Sequence, residues 1–211
     1  MWGIQQVMYK LSQFTETDQA TVIRFIKEYP FAIIIAQGET CPVATHVPLF
    51  VDVDDTGKII LSGHMMRKTD HHLAFEKNSR VLVIFNGPHT YISASWYGNP
   101  KTASTWNYMA VHAKGTIHFL DEAASYKAVK DITEKYEGHH TAAAFHQLGD
   151  DYVYSMIKAI VAFTIEVEVL ENVFKLSQNR DEQSKQNIIA ELEKKGDENS
   201  KLIAQEMKKR L

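Results

Sequence analysis

Residues 111–119 read Val-His-Ala-Lys-Gly-Thr-Ile-His-Phe, a stretch in which apolar or small residues alternate with polar ones. Successive side chains of a β-strand point to opposite faces, so a period of two predicts a strand with one face in the core and the other in water. The same period returns on both sides of this stretch and indicates a mainly β fold.

Further strands are predicted at residues 31–36, 43–51, 58–63, 80–85, 90–94 and 161–169. Asp54-Asp55-Thr56-Gly57 is typical of a hairpin turn, and Asn86-Gly87-Pro88 is expected to connect a second pair of strands. Because full closure removes exposed strand edges, this number of hairpin-connected strands favours a closed antiparallel barrel.

Helical signals interrupt the strands. Thr15-Glu16-Thr17-Asp18 has the spacing of a helix start, and Pro30 is a stop signal, so an amphipathic helix is expected between them. Later helices are predicted after Thr69, at residues 121–136 and near residues 151–159.

Residues 181–211 are highly charged, with seven acidic and seven basic residues. Gly196 is expected to separate two helices there, whose narrow apolar stripes are Ile188, Ile189, Leu192, Leu202, Ile203 and Met207. The sequence thus predicts a domain over residues 1–180 and a charged C-terminal helical extension over residues 181–211. A solvated helix pair or a dimer brace is favoured for this extension, and a basic DNA reader ending in Lys208-Lys209-Arg210 is the alternative.

The composition of the 211 residues excludes several classes of site. One cysteine, Cys41, allows neither an internal disulfide nor a multi-thiolate metal site. The ten histidines include two adjacent pairs whose side chains diverge, so no metal is expected. No nucleotide-binding glycine motif, phosphate loop, zinc-protease motif or nucleophile elbow occurs, and no catalytic residue is assigned.

Charge and hydropathy predict where the protein works. No stretch approaches the roughly 20 apolar residues of a membrane helix, and the first residues lack the features of a signal peptide. A cytoplasmic protein without a membrane partner is therefore expected. The formal net charge of −3 leaves DNA binding open without supporting it.

Two segments concentrate polar and aromatic groups. In the first, Arg67 and Lys68 follow a predicted strand and precede a helix whose N-cap is Thr69 or Asp70, an arrangement suited to a phosphate. An exposed basic turn without a ligand is the alternative. In the second, residues 91–97 and 105–108 each lead from Ser or Thr into Trp, a pattern that can stack on a planar ring or simply pack in the core.

Seven segments that together cover about residues 29–180 form an ordered series: Tyr29-Pro30-Phe31-Ala32, Ala44-Thr45-His46-Val47-Pro48-Leu49, Gly63-His64-Met65-Met66-Arg67, Val81-Leu82-Val83-Ile84-Phe85-Asn86-Gly87-Pro88-His89, Ser93-Ala94-Ser95-Trp96-Tyr97, Thr105-Trp106-Asn107-Tyr108-Met109-Ala110-Val111-His112-Ala113 and Lys175-Leu176-Ser177-Gln178-Asn179-Arg180. In this order they resemble the PaiB family of FMN-binding negative transcriptional regulators, which are relatives of pyridoxamine-phosphate oxidase. The chain departs from the family pattern at Met66, over residues 68–72, at Ala94 and just before Thr105.

The resemblance implies an antiparallel FMN-binding split β-barrel with peripheral helices, and a homodimer with two flavin sites at its interface. It also implies the residues that hold the cofactor. The flavin ring would be lined by Thr45, His46, Val47, Pro48 and Leu49. The phosphate would be held by His64, Arg67, Lys68 and Thr69, beside Met65, and the ring or the ribityl chain would be flanked by Ser93, Ser95 and Trp96. The facing subunit would contribute Trp106, Asn107 and Tyr108, and the pocket would be completed by Lys175, Gln178 and Asn179.

Two functions stay open. The resemblance favours a PaiB-like regulator that uses FMN as ligand or redox sensor. The alternative is an FMN-dependent oxidoreductase of an unknown small molecule, in which Lys175 or Arg67 would stabilise the reduced flavin.

Overall fold

A computed structural model describes residues 11–99 and 101–211. Its strands are β1 (Phe31–Gln37), β2 (Pro42–Pro48), β3 (Phe50–Val53), β4 (Ile59–Met66), β5 (Arg80–Ile92), β6 (Thr105–Phe119) and β7 (Ile160–Lys175). Its helices are α1 (Gln19–Glu28), α2 (Asp70–Lys77), α3 (Glu122–Glu137), α4 (Asp150–Ile157), α5 (Glu182–Lys195) and α6 (Glu198–Lys208). These strands form one sheet in the order β2-β1-β5-β6-β7-β4-β3. The predicted helices are confirmed, with boundaries that differ by about two residues or fewer.

The two end strands of this sheet define the fold class. β2 and β3 lie at opposite ends of the strand order, yet only Leu49 separates them along the chain. Leu49 is buried, and its N–H donates to the carbonyl of Pro30 at 2.9 Å. The fold is therefore an antiparallel split β-barrel, as the resemblance implies. The closed barrel expected from the strand count is wrong, and the single strand expected at residues 43–51 is two strands.

The hairpin expected around Asn86-Gly87-Pro88 is also wrong, because β5 runs unbroken from Arg80 to Ile92. A Cβ atom on Gly87 would lie 2.5 Å from a ring carbon of Phe25. This glycine therefore allows a side chain of α1 to approach the strand closely, which is the other common use of glycine within a strand.

The chain divides into two compact units. The first, here called the terminal unit, comprises the described residues up to Tyr29, together with Phe85–His112 and Glu171–Leu211. The second, the central unit, comprises Pro30–Ile84 and Ala113–Leu170. Strands β5, β6 and β7 contribute residues to both.

The central unit is built on strand pairs, and the inner faces of β1 and β4 are buried. β1 pairs with β2, and β4 pairs with β7 so that Gly63 lies opposite Phe163. Leu61 and Phe163 are completely buried. A Cβ atom on Gly115 would lie 2.1 Å from the carbonyl oxygen of Glu166, so β6 and β7 can approach only because this position is glycine.

The terminal unit contains the two C-terminal helices, which confirm the predicted break at Gly196. Gly196 has φ +73° and ends α5 in the left-handed conformation. Asp181 and Asp197 cap α5 and α6 by accepting hydrogen bonds from the backbone N–H groups of Ser184 and Ser200. The predicted apolar stripes are buried apart from Leu202, which is half-buried. These helices thus pack on the terminal unit through their apolar faces.

Candidate functional site

The turn between β4 and α2, residues 67–69 of the central unit, carries the cations that the sequence assigns to a phosphate. Thr69 is the N-cap of α2, and its Oγ1 accepts a hydrogen bond from the N–H of His72 at 3.3 Å. The same oxygen lies 3.2 Å from the carbonyl oxygen of Met66 and 2.9 Å from Nε2 of His71. Of the two candidate caps, Thr69 is therefore the cap, and its hydroxyl fixes the start of the helix.

Arg67 and Lys68 are cations without a counter-charge. Lys68 has φ +62°, a left-handed conformation that non-glycine residues rarely adopt. Within residues 11–99 and 101–211, neither side chain forms a hydrogen bond or ion pair, whereas Lys58 and Arg80 of the same unit pair with glutamates. Two unpaired cations ahead of a helix start form a turn that can accept a phosphate.

Strand β4 leads directly into this turn. His64 is half-buried, and burial lowers its pKa below the ordinary 6.5 because the imidazolium loses hydration. Met65 is 3% exposed and belongs to the core, whereas Met66 is 57% exposed. Since side chains alternate along a strand, His64 and Met66 share the face opposite Met65.

The predicted ring-lining segment lies on β2 and just after it. Val47 and Leu49 are buried core residues, Thr45 and Pro48 are half-buried, and His46 is exposed. Because β2 is an end strand paired with β1, its outer edge has backbone groups that the sheet does not use. Such groups can form hydrogen bonds to the polar edge of a planar ligand while the buried side chains of Val47 and Leu49 pack in the core.

In the terminal unit, the predicted serines bond to each other. The Oγ atoms of Ser93 and Ser95 lie 2.8 Å apart, and Ser93 Oγ also accepts from the N–H of Ser95 at 3.2 Å. They begin a short 3₁₀ helix, Ala94–Trp96, in which Trp96 is half-buried. The next aromatic residue, Tyr97, is buried.

Trp106, Asn107 and Tyr108 differ in burial. Trp106 is 53% exposed, and its ring lies 6.2 Å from that of His89 and 6.1 Å from that of Tyr91. Asn107 is completely buried, accepts a hydrogen bond from Ser177 Oγ at 3.1 Å and donates to Met207 Sδ at 3.5 Å. Tyr108 is half-buried. The amide of Asn107 therefore joins parts of its own unit.

Lys175 and Asn179 line a cleft of about 270 Å³ in the terminal unit. The Lys175 ammonium donates to Thr105 Oγ1. Its pKa is below the ordinary range because burial disfavours the cation and because Arg180 adds a like charge. Gln178 is half-buried, and its Oε1 accepts from the N–H of Leu176 at 2.7 Å.

The structure thus groups the predicted residues in two sets. His64, Arg67, Lys68 and Thr69 belong to the central unit, as do residues 45–49, whereas the residues from Ser93 onwards belong to the terminal unit. Sequence reasoning did not single out Arg180, Ser104 or the left-handed Ser177, which has φ +62°. The position of Arg180 at the end of the motif over residues 175–180 was a usable signal.

Among the described residues, no group of three or more His, Cys, Asp or Glu is arranged to hold a metal ion. None of the described helices has the length and apolar character needed to cross a membrane.

Comparison with known proteins gives a family match and a shared fold. Residues 8–169 match the model of the family described as "Putative FMN-binding domain". Over 205 residues the chain is 34% identical to the protease synthase and sporulation protein PAI 2 of Bacillus subtilis, with 97% of this chain and 98% of the relative covered.

Among solved structures, the FAD and heme binding protein from Mycobacterium smegmatis has a TM-score of 0.57 at 14% identity, covering 76% of this chain and 73% of that one. The flavocytochrome Anf3 from Azotobacter vinelandii has a TM-score of 0.55 at 14% identity, covering 76% and 69%. At these identities the likeness shows the fold.

Proposed function

Because the chain belongs to the PaiB family of FMN-binding split-barrel proteins, we propose that it is a homodimeric regulator that uses FMN as its ligand or redox sensor. FMN is the cofactor of this family. Bound FMN supplies a planar ring that can be reversibly reduced. The residues of the chain bind this group, orient it and set the charge around it.

The observation that carries the proposal is the pair of uncompensated cations, Arg67 and Lys68, ahead of α2. A phosphate monoester carries close to two negative charges near neutral pH and accepts several hydrogen bonds. The guanidinium and ammonium supply donors and charge, and His64 lies on the strand that leads into the turn. The residues present therefore fit the phosphate of FMN.

The homodimer is supported by an exposed aromatic group in the terminal unit. Trp106 and Tyr91 are both exposed, although their rings contact each other on neighbouring strands. Large exposed aromatic side chains are enriched at protein interfaces. We expect light scattering to give twice the mass of one chain, and Trp106→Ala to weaken the dimer. A monomeric wild-type protein at micromolar concentration would contradict this part of the proposal.

The C-terminal helices give little support to direct DNA reading. Lys208 pairs with Glu193 at 2.5 Å, Lys209 pairs with Glu206 at 2.5 Å, and Arg210 pairs with Glu206 at 2.7 Å. The basic end of α6 is thus largely neutralised by the protein's own carboxylates. These contacts favour a packing role for α5 and α6 over a phosphate-contacting role.

The first experiment measures FMN retained after desalting and its affinity by titration. We expect the wild-type chain to bind FMN and the double variant Arg67→Gln/Lys68→Gln to bind it about 100-fold more weakly, since two charge-assisted hydrogen bonds are lost. Lys127→Gln/Lys130→Gln is the matched control, because it removes the same charge from ion pairs on the surface of α3. Equal FMN affinity in the two double variants would show that the β4–α2 turn does not bind the phosphate.

A second experiment separates the regulator from the oxidoreductase. The regulator should shift a promoter fragment at physiological salt, with an affinity that depends on flavin state and falls as salt rises. Multiple turnovers of NAD(P)H with an added acceptor, without any promoter shift, would favour the oxidoreductase.

A further inference from the structure

His72 is a buried residue of α2 that has no role in the proposed function. It is 4% exposed, and its ring lies 4.8 Å from that of Phe119 on β6, within the same central unit. It belongs to residues 68–72, over which the chain departs from the family pattern, so the resemblance assigns it no task. Because buried polar groups are paired with hydrogen-bond partners, the contacts of this imidazole show what it does.

The partner of the His72 ring is the backbone of the β4–α2 turn. The N–H of Lys68 donates to Nδ1 of His72 at 3.4 Å, and the N–H of His72 donates to Oγ1 of Thr69 at 3.3 Å. These two bonds resemble a capping box, in which the third residue of a helix bonds back to the residues before it. Here an imidazole takes the place of the usual Glu or Gln. His72 thus ties the turn to the first residues of α2.

The other ring nitrogen of His72 has no comparable contact. Nε2 is buried and forms no hydrogen bond among the described residues, and Oε1 of Glu76, which is 52% exposed, lies 3.7 Å away. A ring nitrogen that accepts a hydrogen bond carries no proton, so the ring proton is on Nε2. The acceptor that the fold uses is therefore Nδ1, and its donor is Lys68.

The backbone of Lys68 makes this bond important for phosphate binding. Lys68 has φ +62°, and such strained backbone persists only where its surroundings hold it. Its N–H is held by His72, and the N–H of Arg67 donates to the carbonyl of Ala159 at 2.8 Å. Since both N–H groups are used within the protein, the side chains of Arg67 and Lys68 are left to bind an anion. Their direction depends on the backbone that His72 holds.

We propose that His72 is a positioning residue for the phosphate of FMN. By accepting from the N–H of Lys68, it fixes the left-handed turn that presents Arg67 and Lys68. It thereby sets how strongly the chain prefers FMN to riboflavin, which lacks the phosphate. His72 is buried, so it acts through the turn and does not touch the ligand. The inference rests on the proposed function, which places the FMN phosphate at the β4–α2 turn.

The test compares His72→Asn with His72→Leu, by titrating each full chain with FMN and with riboflavin. The amide oxygen of Asn occupies the same place along the side chain as Nδ1 and can accept from Lys68, whereas Leu has no acceptor. We expect His72→Leu to weaken FMN binding about tenfold, as the loss of one hydrogen bond implies, and to leave riboflavin binding unchanged. His72→Asn should stay within about threefold of the wild-type affinity for FMN.

Glu76→Gln is the control, because it removes the charge beside Nε2 and keeps Nδ1. It should leave both affinities unchanged. Four results would overturn the inference: His72→Leu binds FMN as tightly as wild type, His72→Asn and His72→Leu lose FMN affinity equally, the affinities for FMN and riboflavin fall together, or Glu76→Gln reproduces the loss. Failure of the wild-type chain to bind FMN would overturn the proposed function, and the inference with it.

A second measurement uses the wild-type chain and decides the case even if His72→Leu does not fold. Nitrogen-15 NMR of the histidine rings at about pH 8, where an ordinary imidazole is neutral, should show His72 with its proton on Nε2. The signals of His72 among the ten histidines are assigned by their absence from the spectrum of His72→Asn. A proton on Nδ1 would overturn the inference, because a protonated nitrogen cannot accept from Lys68.

Discussion

The two cation-bearing turns, β4–α2 in the central unit and β7–α5, residues 176–181, in the terminal unit, differ in how the side chain of their strained residue is held. Each contains a non-glycine residue with φ +62°, Lys68 in one and Ser177 in the other. Lys68 is exposed and its side chain has no partner among the described residues, whereas Ser177 is 3% exposed and bonds to buried Asn107. Around Lys68 the contacts are made by its neighbours, through the cap at Thr69 and the Arg67 N–H, which donates to the carbonyl of Ala159 at 2.8 Å, whereas the side chain of Ser177 is itself bonded to a buried residue.

This difference predicts where substitutions will alter folding and where they will alter ligand binding. Strained backbone persists where its surroundings over-determine it, and such sites often serve ligands. Variants at Ser177 and its partner should therefore change stability, whereas variants at Lys68 should mainly change the affinity for FMN.

The largest expected effect is at Asn107. Asn107→Ala removes the acceptor of Ser177 Oγ and the donor to Met207 Sδ from a fully buried position. We expect the free energy of unfolding of the flavin-free chain to fall by about 3 kcal/mol, measured by urea denaturation. Asn179→Ala, at an exposed position two residues after Ser177, is the control and should change it by less than about 0.5 kcal/mol. Equal losses in the two variants would mean that the amide network does not support this turn.

A smaller effect is expected at Ser177 itself. Ser177→Gly loses the hydrogen bond to Asn107 but relieves the left-handed strain, so the net loss of stability should be about 1 kcal/mol. Ser177→Ala loses the same bond and keeps the strain, and should be less stable than Ser177→Gly by about another 1 kcal/mol. If urea denaturation ranks the two variants the other way, strain is not a feature of this turn.

A gain in stability, instead of a loss, is expected at Lys68. Lys68→Gly removes a strained, exposed side chain that forms no hydrogen bond or ion pair with the described residues, so the flavin-free chain should gain about 0.5 kcal/mol in stability. Lys68→Ala keeps the strain and should match the wild-type stability. Both variants should weaken FMN binding, because both remove the same charge. A destabilised Lys68→Gly would show that the two turns are held alike.

The strands, the helices and the family could be read from the sequence, because alternation and capping residues are local signals. Asp18, Thr69 and Asp121 cap α1, α2 and α3 with the side chains that the capping rules favour. The prediction was wrong where a local signal had a tertiary meaning. Gly87 looks like a turn residue but makes room for Phe25, and Leu49 separates two strands where the alternation over residues 43–51 predicts one.

For the candidate site, the sequence predicted which residues belong to it but not the contacts that they make. The cations Arg67 and Lys68 are recognisable from their place before a helix, but their lack of partners is a property of the fold. Asn107 is an amide in a motif, as a ligand-binding residue would be. Only the structure shows that it is buried and bonds to Ser177 of its own unit. Ser177 carries no sequence signal for a left-handed backbone, so its strain could not be foreseen.

The smallest expected effect is a pH dependence of stability that arises from His64 on β4 of the central unit. Burial lowers the pKa of His64 in the folded chain below its ordinary 6.5, so the unfolded chain binds this proton more readily. Stability should therefore fall as pH drops through 6.5 and level off below the folded pKa. Urea midpoints of the flavin-free chain at pH 7.5 and 5.5 should differ more for wild type than for His64→Gln, whereas the exposed-site control His139→Gln should behave like wild type. FMN should reduce the difference, because a phosphate beside His64 favours the imidazolium; a pH dependence that is the same with and without FMN would place the phosphate away from this strand.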